Sequence, residues 1–430
     1  MKKKTALILA GLLCALSIAA CGPSESSSGK KAAEGAGNSS KLVIAISEQQ
    51  EEFYRKAISK YCKLHPEVEV EIETVPFIDN SPTEKMEKNK KAVKDMQVQV
   101  MAGKGPDVFL LDESNQALPD MIKSSYGGVF LDLNTVIEDL KDLPLNQTVM
   151  KAGEVDGKQY FLPLGYMLAG VAAAEVALGD WEPSSGQPAQ FLEEIAGHTG
   201  VSGFPTEFLL REYMPGLFGT PALDYEEETA AFSEELRNLA KLLDEGREFS
   251  SEGAPELPDV TMLGHCAGGV FESLVQRSFA SGTDVKFLPF PNGEGGINAQ
   301  VNVFGAVRAN SPEASQAGDF LAFLLSDEAQ GGTGWEGFGN GKMFGAVPVN
   351  NNAVVPALQY QFALGTGVDS EEAREKAEEL FQITQQVTTA RFCYYENSLV
   401  FQALFMTSEE SSVEEKLDDL ENELRFYFDE

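Results

Sequence analysis

The chain has 430 residues, of which 67 are Asp or Glu and 33 are Lys or Arg, so its formal net charge is −34 at pH 7. A surface this acidic repels nucleic acid and, taken as a whole, anionic lipid head groups, so nucleic acid is excluded as a partner. Hydrophobic residues make up 43% of the chain, which excludes an intrinsically disordered acidic protein.

The first predicted element is a secretory signal. Lys2–Lys4 form a basic start, Thr5–Ala20 is an uncharged and mostly apolar run, and Ile18–Ala20 places small residues just before Cys21. The run falls short of the ~20 residues that a membrane-spanning helix needs. The pattern resembles a lipobox, in which the cysteine thiol receives a diacylglycerol and becomes the first residue. Residues 1–20 are therefore the predicted signal peptide, although an ordinary signal followed by an incidental cysteine stays open.

A tether is the next predicted element. Residues 21–40 are small and polar after the cysteine, a composition typical of a flexible linker. Removing the three signal lysines leaves 30 basic against 67 acidic residues, a charge of −37. The apolar stretch Leu168–Leu178 is interrupted by Glu175 and is too short to span a membrane. We expect a chain outside the cytoplasm, anchored to the cell membrane as a lipoprotein.

The opening third of the remaining chain has the pattern of a doubly wound α/β lobe. Leu42–Ile46 is a continuous apolar run, typical of a buried strand, and Glu67–Glu73 alternates like a half-exposed one. Between them a helix begins near Gln50 and ends at His65-Pro66. Its predicted apolar face consists of Phe53, Ala57, Ile58, Tyr61 and Leu64. A second helix, about 83 to 101, ends at a Gly103 C-cap, and a buried strand follows at Val108–Leu111.

The middle and end of the chain mix helices with fewer strands. Tyr160–Leu164 is a predicted strand broken by proline, and the chain from there to about residue 250 is predicted to be mostly helical, including 191–196 and 226–243. Strands return at 285–290 and 302–307. Ser311-Pro312-Glu313 has the composition of a helix N-terminus. The following helix has a predicted apolar face of Ala317, Phe320, Leu321 and Leu324, and a last helix covers 413–428.

Five segments, taken in order, resemble the family 1 extracellular solute-binding proteins, the class of the maltose-binding protein. They span nearly all of the chain after the tether, and each motif is weak alone. The segments are Leu64–Val70, Met101–Val108, Val155–Pro163, Val307–Ser311 with Phe323–Gln330, and Gly345–Val349.

The resemblance implies the α/β periplasmic-binding-protein fold, in which two lobes are joined by a hinge of crossing strands and the ligand binds in the cleft between them. Crossings would fall near 162–167, 300–304 and 342–346. One lobe would contain residues 41–162 plus 303–340, and the other 163–300 plus 345–430. The length after the tether agrees with two lobes.

Candidate ligand-binding residues lie where predicted strands end. Glu48 follows the first strand, and Asp112 and Glu113 follow the strand that ends at Leu111, although a helix-capping role is equally open. Aromatic rings that could stack on sugars, with one further acid, complete the set. These residues are Tyr166, Phe271, Glu272, Trp335, Tyr394 and Tyr395. The chain departs from the family at Phe271-Glu272, where a tryptophan is expected, and at Val171–Glu175, where a Tyr-Asn pair is expected.

The resemblance implies delivery of a small solute to the permease subunits of an ABC transporter, and among solutes it favours a carbohydrate. A polyamine, a peptide or another organic solute stays open, as does a ligand sensor without import. The chain has no G-x-S-x-G or H-E-x-x-H motif, and its three histidines are scattered, so neither an enzyme nor a metal site is expected. No cofactor is expected, and a monomer is the default.

The cysteines left after Cys14 and Cys21 are odd in number and far apart. They are Cys62, Cys266 and Cys393. We expect buried thiols rather than a disulfide framework, although one pair stays open.

Overall fold

The computed structural model describes most of the chain between Lys41 and Phe392. The described residues are 41–76, 84–112, 128–184, 186–187, 190–191, 194, 261–266, 284–292, 294–331, 346–363, 370–392 and 415. The predicted signal peptide, Cys21 and the tether lie outside them, as do the predicted helices at 226–243 and, apart from Glu415, at 413–428. Within the described residues, every helix is too short or too polar to cross a bilayer.

Eleven strands are formed by the described residues. They are β1 (Lys41–Ser47), β2 (Glu69–Val75), β3 (Val108–Asp112), β4 (Glu154–Val155), β5 (Lys158–Gln159), β6 (Leu162–Ala174), β7 (Thr261–Cys266), β8 (Val285–Pro289), β9 (Ile297–Val307), β10 (Val347–Pro348) and β11 (Val387–Phe392). Nine of them form one mixed sheet, whose main path is β10-β6-β9-β3-β1-β2, and β4 pairs with β5 alone.

Eight α-helices belong to the described residues. They are α1 (Glu51–Leu64), α2 (Glu84–Met101), α3 (Gln147–Lys151), α4 (Glu175–Leu178), α5 (Ala314–Leu324), α6 (Asp327–Gly331), α7 (Asn351–Ala363) and α8 (Ser370–Thr384). Short 3-10 helices cover Glu48–Gln50, Leu133–Thr135 and Leu140–Asp142.

The predicted strand-helix-strand unit is confirmed. β1 and β2 are parallel, with Lys41 opposite Glu69, and β3 runs parallel to β1 on its other side. Helix α1 ends at Leu64, and His65 is its C-cap. Four of the five predicted face residues are buried, but Leu64 is 53% exposed and was wrongly assigned to the core. Leu64 is the last residue of the helix, directly before the turn that leads to β2.

The two longest strands change partners along their length. Leu162–Leu168 of β6 pairs with β9, whereas Leu168–Ala174 pairs with β7 and β8. In β9, Val303–Val307 pairs with β3, and Ile297–Val301 pairs with β11. These change points lie close to the first two predicted crossings. The third predicted crossing falls mostly outside the described residues, and the lobe boundaries stay a prediction.

The prediction of mainly helical chain after Leu164 is wrong for residues 165–174. This stretch is rich in Ala, which favours helix when considered locally. Here it forms the continuation of β6, because neighbouring strands supply partners for its backbone on both sides. Tertiary pairing therefore overrides local propensity.

A buried ion pair joins the start of β3 to the end of β9. The Arg308 Nη2 atom lies 2.9 Å from the Asp107 Oδ1 atom, and the two side chains are 9% and 5% exposed. Arg308 also donates to the carbonyl oxygens of Pro106 and Gly103, at 3.0 Å each. The other carboxylate oxygen of Asp107 accepts from the Val43 backbone N–H at 3.0 Å. Both charges are thus satisfied by several hydrogen bonds, as buried charges require.

Ser311 belongs to the same network and does not begin the helix that follows it. Its hydroxyl donates to Asp107 Oδ1 at 2.7 Å and accepts from the Glu313 N–H at 3.1 Å. Helix α5 begins only at Ala314, after a turn. The predicted apolar face of α5 is confirmed, because Ala317, Phe320, Leu321 and Leu324 are all buried. The predicted Gly103 C-cap is also confirmed, since Gly103 has φ +70.

A second polar cluster connects α6, the C-terminal end of α5 and the segment between β10 and α7 to β6. Gln330 of α6 donates to the Leu164 carbonyl at 3.1 Å and accepts from the Asn350 N–H at 2.9 Å. Asn350 donates in turn to Asp327 at 2.7 Å and to the Leu325 carbonyl at 2.9 Å. Gln330 and Asn350 are each 1% exposed, so the cluster is part of the core.

Removal of the buried cation is expected to destabilise the protein strongly. Arg308→Met leaves the Asp107 carboxylate buried without its partner, and we expect a loss of about 3–5 kcal/mol in the free energy of unfolding. Denaturant unfolding at pH 7 measures this loss. The matched control is Arg374→Met, which breaks an exposed pair with Glu378 and should cost about 0–1 kcal/mol. Equal losses in the two variants would show that the buried pair has no special role.

Candidate functional site

Two predicted acids meet at one edge of the sheet. The parallel register of β1 and β3 pairs Ile46 with Leu110, so Ser47 and Glu48 lie level with the end of β3 at Asp112. Glu48 is exposed, whereas Asp112 is 5% exposed. The Ser47 hydroxyl makes no capping hydrogen bond to the 3-10 helix that follows it. The carboxyl ends of neighbouring strands are where ligands bind in open α/β sheets.

The phenol of Tyr54 lies beneath this edge. Tyr54 is on α1 and is fully buried. Burial raises the pKa of Tyr54 well above its usual 10, and the negative charge of Asp112 raises it further. The phenol therefore stays protonated in the folded protein.

Three amides on β9 were not predicted as site residues. Asn298, Gln300 and Asn302 stand at alternate positions of the strand, and its pairing with β6 shifts register at Asn302. Gln300 and Asn302 are 4% and 3% exposed. Both lie where β9 changes partners, and Val303 pairs directly with Asp112. The sequence signal that could have identified them is the occurrence of three amides at every second position of an otherwise apolar strand.

Tyr166 lies on β6, opposite Val301 of β9 and Val347 of β10. Its ring is fully buried. The backbone is closely packed here, because a Cβ atom on Gly165 would lie 2.8 Å from the Ala346 Cβ. Tyr166 therefore offers no ring face to a solute unless neighbouring elements separate, and its role in stacking stays a prediction.

The remaining predicted site residues lie outside the described residues. They are Glu113, Phe271, Glu272, Trp335, Tyr394 and Tyr395.

His65 and Cys62 carry groups that could react, but each is packed against neighbouring residues of the fold. His65 stacks on Tyr61, with ring centroids 4.3 Å apart. Cys62 is a free, half-buried thiol, and burial raises its pKa. The Cys266 side chain and Cys393 lie outside the described residues. Among the side chains that the structure describes, no three His, Cys, Asp or Glu residues are grouped as a metal site would need.

The chemistry of this edge is that of hydrogen bonding to a polar solute. A carboxylate accepts up to four hydrogen bonds, and each amide both donates and accepts. The Ser47 hydroxyl is buried and has no hydrogen-bond partner among the described residues. Such groups together can bind hydroxyls or amines.

The raised pKa of Tyr54 predicts a loss of stability at high pH. Above pH 10 an unfolded tyrosine releases its proton while folded Tyr54 keeps it, so stability falls as pH rises, by up to about 1.4 kcal/mol per pH unit. Tyr61, with a pKa of about 12, adds to the loss between pH 10 and 12. Tyr54→Phe should make the decline shallower in denaturant unfolding between pH 8 and 11. Tyr360→Phe, at an exposed tyrosine, is the control, and identical slopes in all three proteins would contradict the prediction.

Comparison with known proteins gives one partial sequence relative. No family model matches the chain. The galactooligosaccharide-binding protein of Bacillus subtilis (strain 168) is 28% identical over 165 residues, which are 38% of this chain. The match spans only about a third of that relative, 33% of its length.

Several solved structures are similar in fold to this chain over most of its length. A family 1 extracellular solute-binding protein from Alicyclobacillus acidocaldarius covers 90% of this chain and 98% of its own, with 15% identity and a TM-score of 0.54. CpMnBP1 with mannotriose bound covers 89% of this chain and 99% of its own, with 14% identity and a TM-score of 0.54. A designed cysteine esterase also matches, with 15% identity, 89% and 96% coverage and a TM-score of 0.55, so this likeness identifies the fold alone. The chain has the two-lobed α/β fold of the family 1 extracellular solute-binding proteins.

Proposed function

We propose that this chain is an extracellular solute-binding protein that binds an oligosaccharide and delivers it to the permease of an ABC importer. The observation that carries this proposal is the set of polar groups at the carboxyl ends of β1 and β3, beside the strands that change partners. The fold supports it, as do two names among the relatives: one binds galactooligosaccharides, and one was solved with mannotriose.

In this proposal the acids and amides bind sugar hydroxyls. Asp112 accepts hydrogen bonds from hydroxyl groups, and the nearby Asn302 and Gln300 amides both donate and accept. Glu48, which is exposed, contacts the solute from the rim. The aromatic residues proposed to stack on sugar rings are Tyr166, Phe271, Trp335, Tyr394 and Tyr395, with Glu113 and Glu272 as further acceptors.

Closure of two lobes around the solute completes the proposed mechanism. The lobes are residues 41–162 with 303–340, and residues 163–300 with 345–430. The start of β6 and the second half of β9 pair with residues assigned to one lobe, and the second half of β6 and the first half of β9 pair with strands assigned to the other lobe. A change of backbone angle where the partners change would therefore rotate one lobe against the other. Tyr166 is on β6 at this position, and such a motion would alter its burial.

The chain is also proposed to be a lipoprotein of the cell membrane. Cys21 would carry the lipid, and residues 22–40 would allow the receptor to reach its permease. This part rests on the order of residues before and after Cys21.

A polyamine is the second candidate ligand. The carboxylates of Glu48 and Asp112 favour it, because two acids at one site suit a cation. Transport and sensing would use the same site.

A thermal-shift screen tests the ligand class. We expect mannotriose or a galactooligosaccharide to raise the Tm of the unlipidated chain from residue 22 onward, since a ligand at 100-fold over its Kd adds ~2.7 kcal/mol of stability. Asp112→Asn should weaken that binding about 10-fold or more, because a hydrogen bond to a charged group is lost. Asp142→Asn, at an exposed acid in the Leu140–Asp142 helix, is the matched control. Stabilisation by spermidine and by no sugar would overturn the carbohydrate proposal.

Loss of the predicted lipid site should release the protein from the membrane. We expect Cys21→Ser to move the chain from the membrane fraction to the soluble fraction, measured by detergent phase partitioning. Cys62→Ser is the control, because Cys62 is a half-buried thiol that should not affect anchoring. A Cys21→Ser chain that stays with the membrane would contradict the proposed anchor.

A further inference from the structure

Exposed apolar side chains are concentrated at one edge of the sheet. Of the described residues, four large hydrophobic side chains are exposed, and three of them are Leu64 at 53%, Val98 at 61% and Met101 at 70%. Leu64 is the last residue of α1, and Met101 is the last residue of α2. Each helix follows one parallel strand and precedes the next, so both helices end at the edge where β2 and β3 begin.

This edge, called the amino edge here, is also where the tether joins the folded chain. The Asp107 N–H donates to the Val43 carbonyl at 2.8 Å, so the start of β3 is level with the start of β1. β1 begins at Lys41. The apolar end of α2 therefore lies at the same edge as the point where residues 21–40 leave the folded chain.

Helix α2 is basic, although the chain as a whole is acidic. It carries five lysines against three acids, and Lys104 follows it, whereas the whole chain has a net charge of −34. Lys91, Lys94, Val98 and Met101 are spaced three or four residues apart, so they form one stripe on the helix. All four are exposed. Lys91 pairs with Asp95 at 2.8 Å, whereas Lys94 and Lys104 make no ion pair within the described part of the chain.

We propose that the amino edge rests on the anionic head groups of the bilayer that holds the lipid of Cys21. The lysines of α2 would lie against lipid phosphates, with Leu64, Val98 and Met101 between the head groups. This inference depends on the anchor proposed above. The acidic remainder of the chain is repelled by the same surface, so the charge distribution orients the tethered protein. If residues 21–40 behave as the flexible linker that their composition predicts, their root-mean-square length is about 25 Å, which keeps this edge within reach of the bilayer.

The orientation places the candidate binding edge away from the membrane. Glu48 and Asp112 lie at the opposite ends of β1 and β3, and a strand of seven residues is about 23 Å long. In the docked state the site faces the external medium and captures solute. Delivery to a permease in the same membrane then requires the amino edge to leave the bilayer.

Lysine acylation on vesicles tests the docking. The lipidated chain is placed in vesicles of 30% phosphatidylglycerol in phosphatidylcholine, or of phosphatidylcholine alone, and acylation rates are measured by mass spectrometry. We expect Lys88, Lys94 and Lys104 to react at least 3-fold more slowly in the anionic vesicles, relative to Lys286 on β8. The protection should disappear in 0.5 M salt. It should also disappear at Lys88 and Lys104 in Lys91→Glu/Lys94→Glu, but persist in the charge reversal Arg374→Glu on α8, which keeps Lys286 as the reference.

Anchoring and docking are separated by two readouts. Flotation of the vesicles reports whether the chain is anchored, and the acylation pattern reports which face meets the lipid. Chain that floats but reacts equally in both kinds of vesicle overturns the docking alone. Protection that occurs in native membranes but not in anionic vesicles would assign the edge to a protein partner and also overturn it. If Cys21 carries no lipid, a chain attached to the same vesicles through a histidine tag at residue 21 can be used instead. Its lysine acylation pattern then tests the docking independently of the lipid.

Discussion

The interaction on which the described sheet most depends is the buried pair of Arg308 and Asp107. It joins the end of β9 to the start of β3, and through Val43 to β1, so three strands from distant parts of the chain share one register. A buried pair of this kind is useful for specificity because a shifted register would leave both charges without partners. The pair lies at the amino edge, and Glu48 and Asp112 lie at the opposite ends of β1 and β3.

The long strands β6 and β9 connect this rigid end to the rest of the fold. The cluster of Gln330 and Asn350 holds α6, α7 and β10 to β6 near Leu164, just before β6 exchanges its partners. Buried Gln300 and Asn302 lie at the corresponding part of β9. The polar groups proposed to bind solute thus lie where the two sets of strands meet. A rotation of one proposed lobe against the other would change the distances between groups at this position most.

Basic side chains are clustered at the amino edge in a way that the total of −34 conceals. The amino edge combines the lysines of α2 with exposed apolar side chains and with the exposed Glu67 and Glu69 at the start of β2, whereas the binding edge presents Glu48 and Asp112. The proposed docking surface and solute site would then lie at opposite ends of β1. A receptor attached at one end and binding at the other can remain on its membrane while its site stays accessible.

The helices α1, α2 and α5 and the strands β1 and β3 could be predicted from the periodicity of hydrophobic residues. The secondary structure of each agrees with its own local pattern, whatever segment packs against it. The acids Glu48 and Asp112 could be predicted as neighbours, since parallel strands bring their carboxyl ends together. The extent of β6, the exposure of Leu64, the placement of Ser311 and the burial of Gln300 and Asn302 were decided only by tertiary structure. Each of these depends on which segment lies beside it, and strand partners far away in the chain leave no periodic signal in the residues themselves.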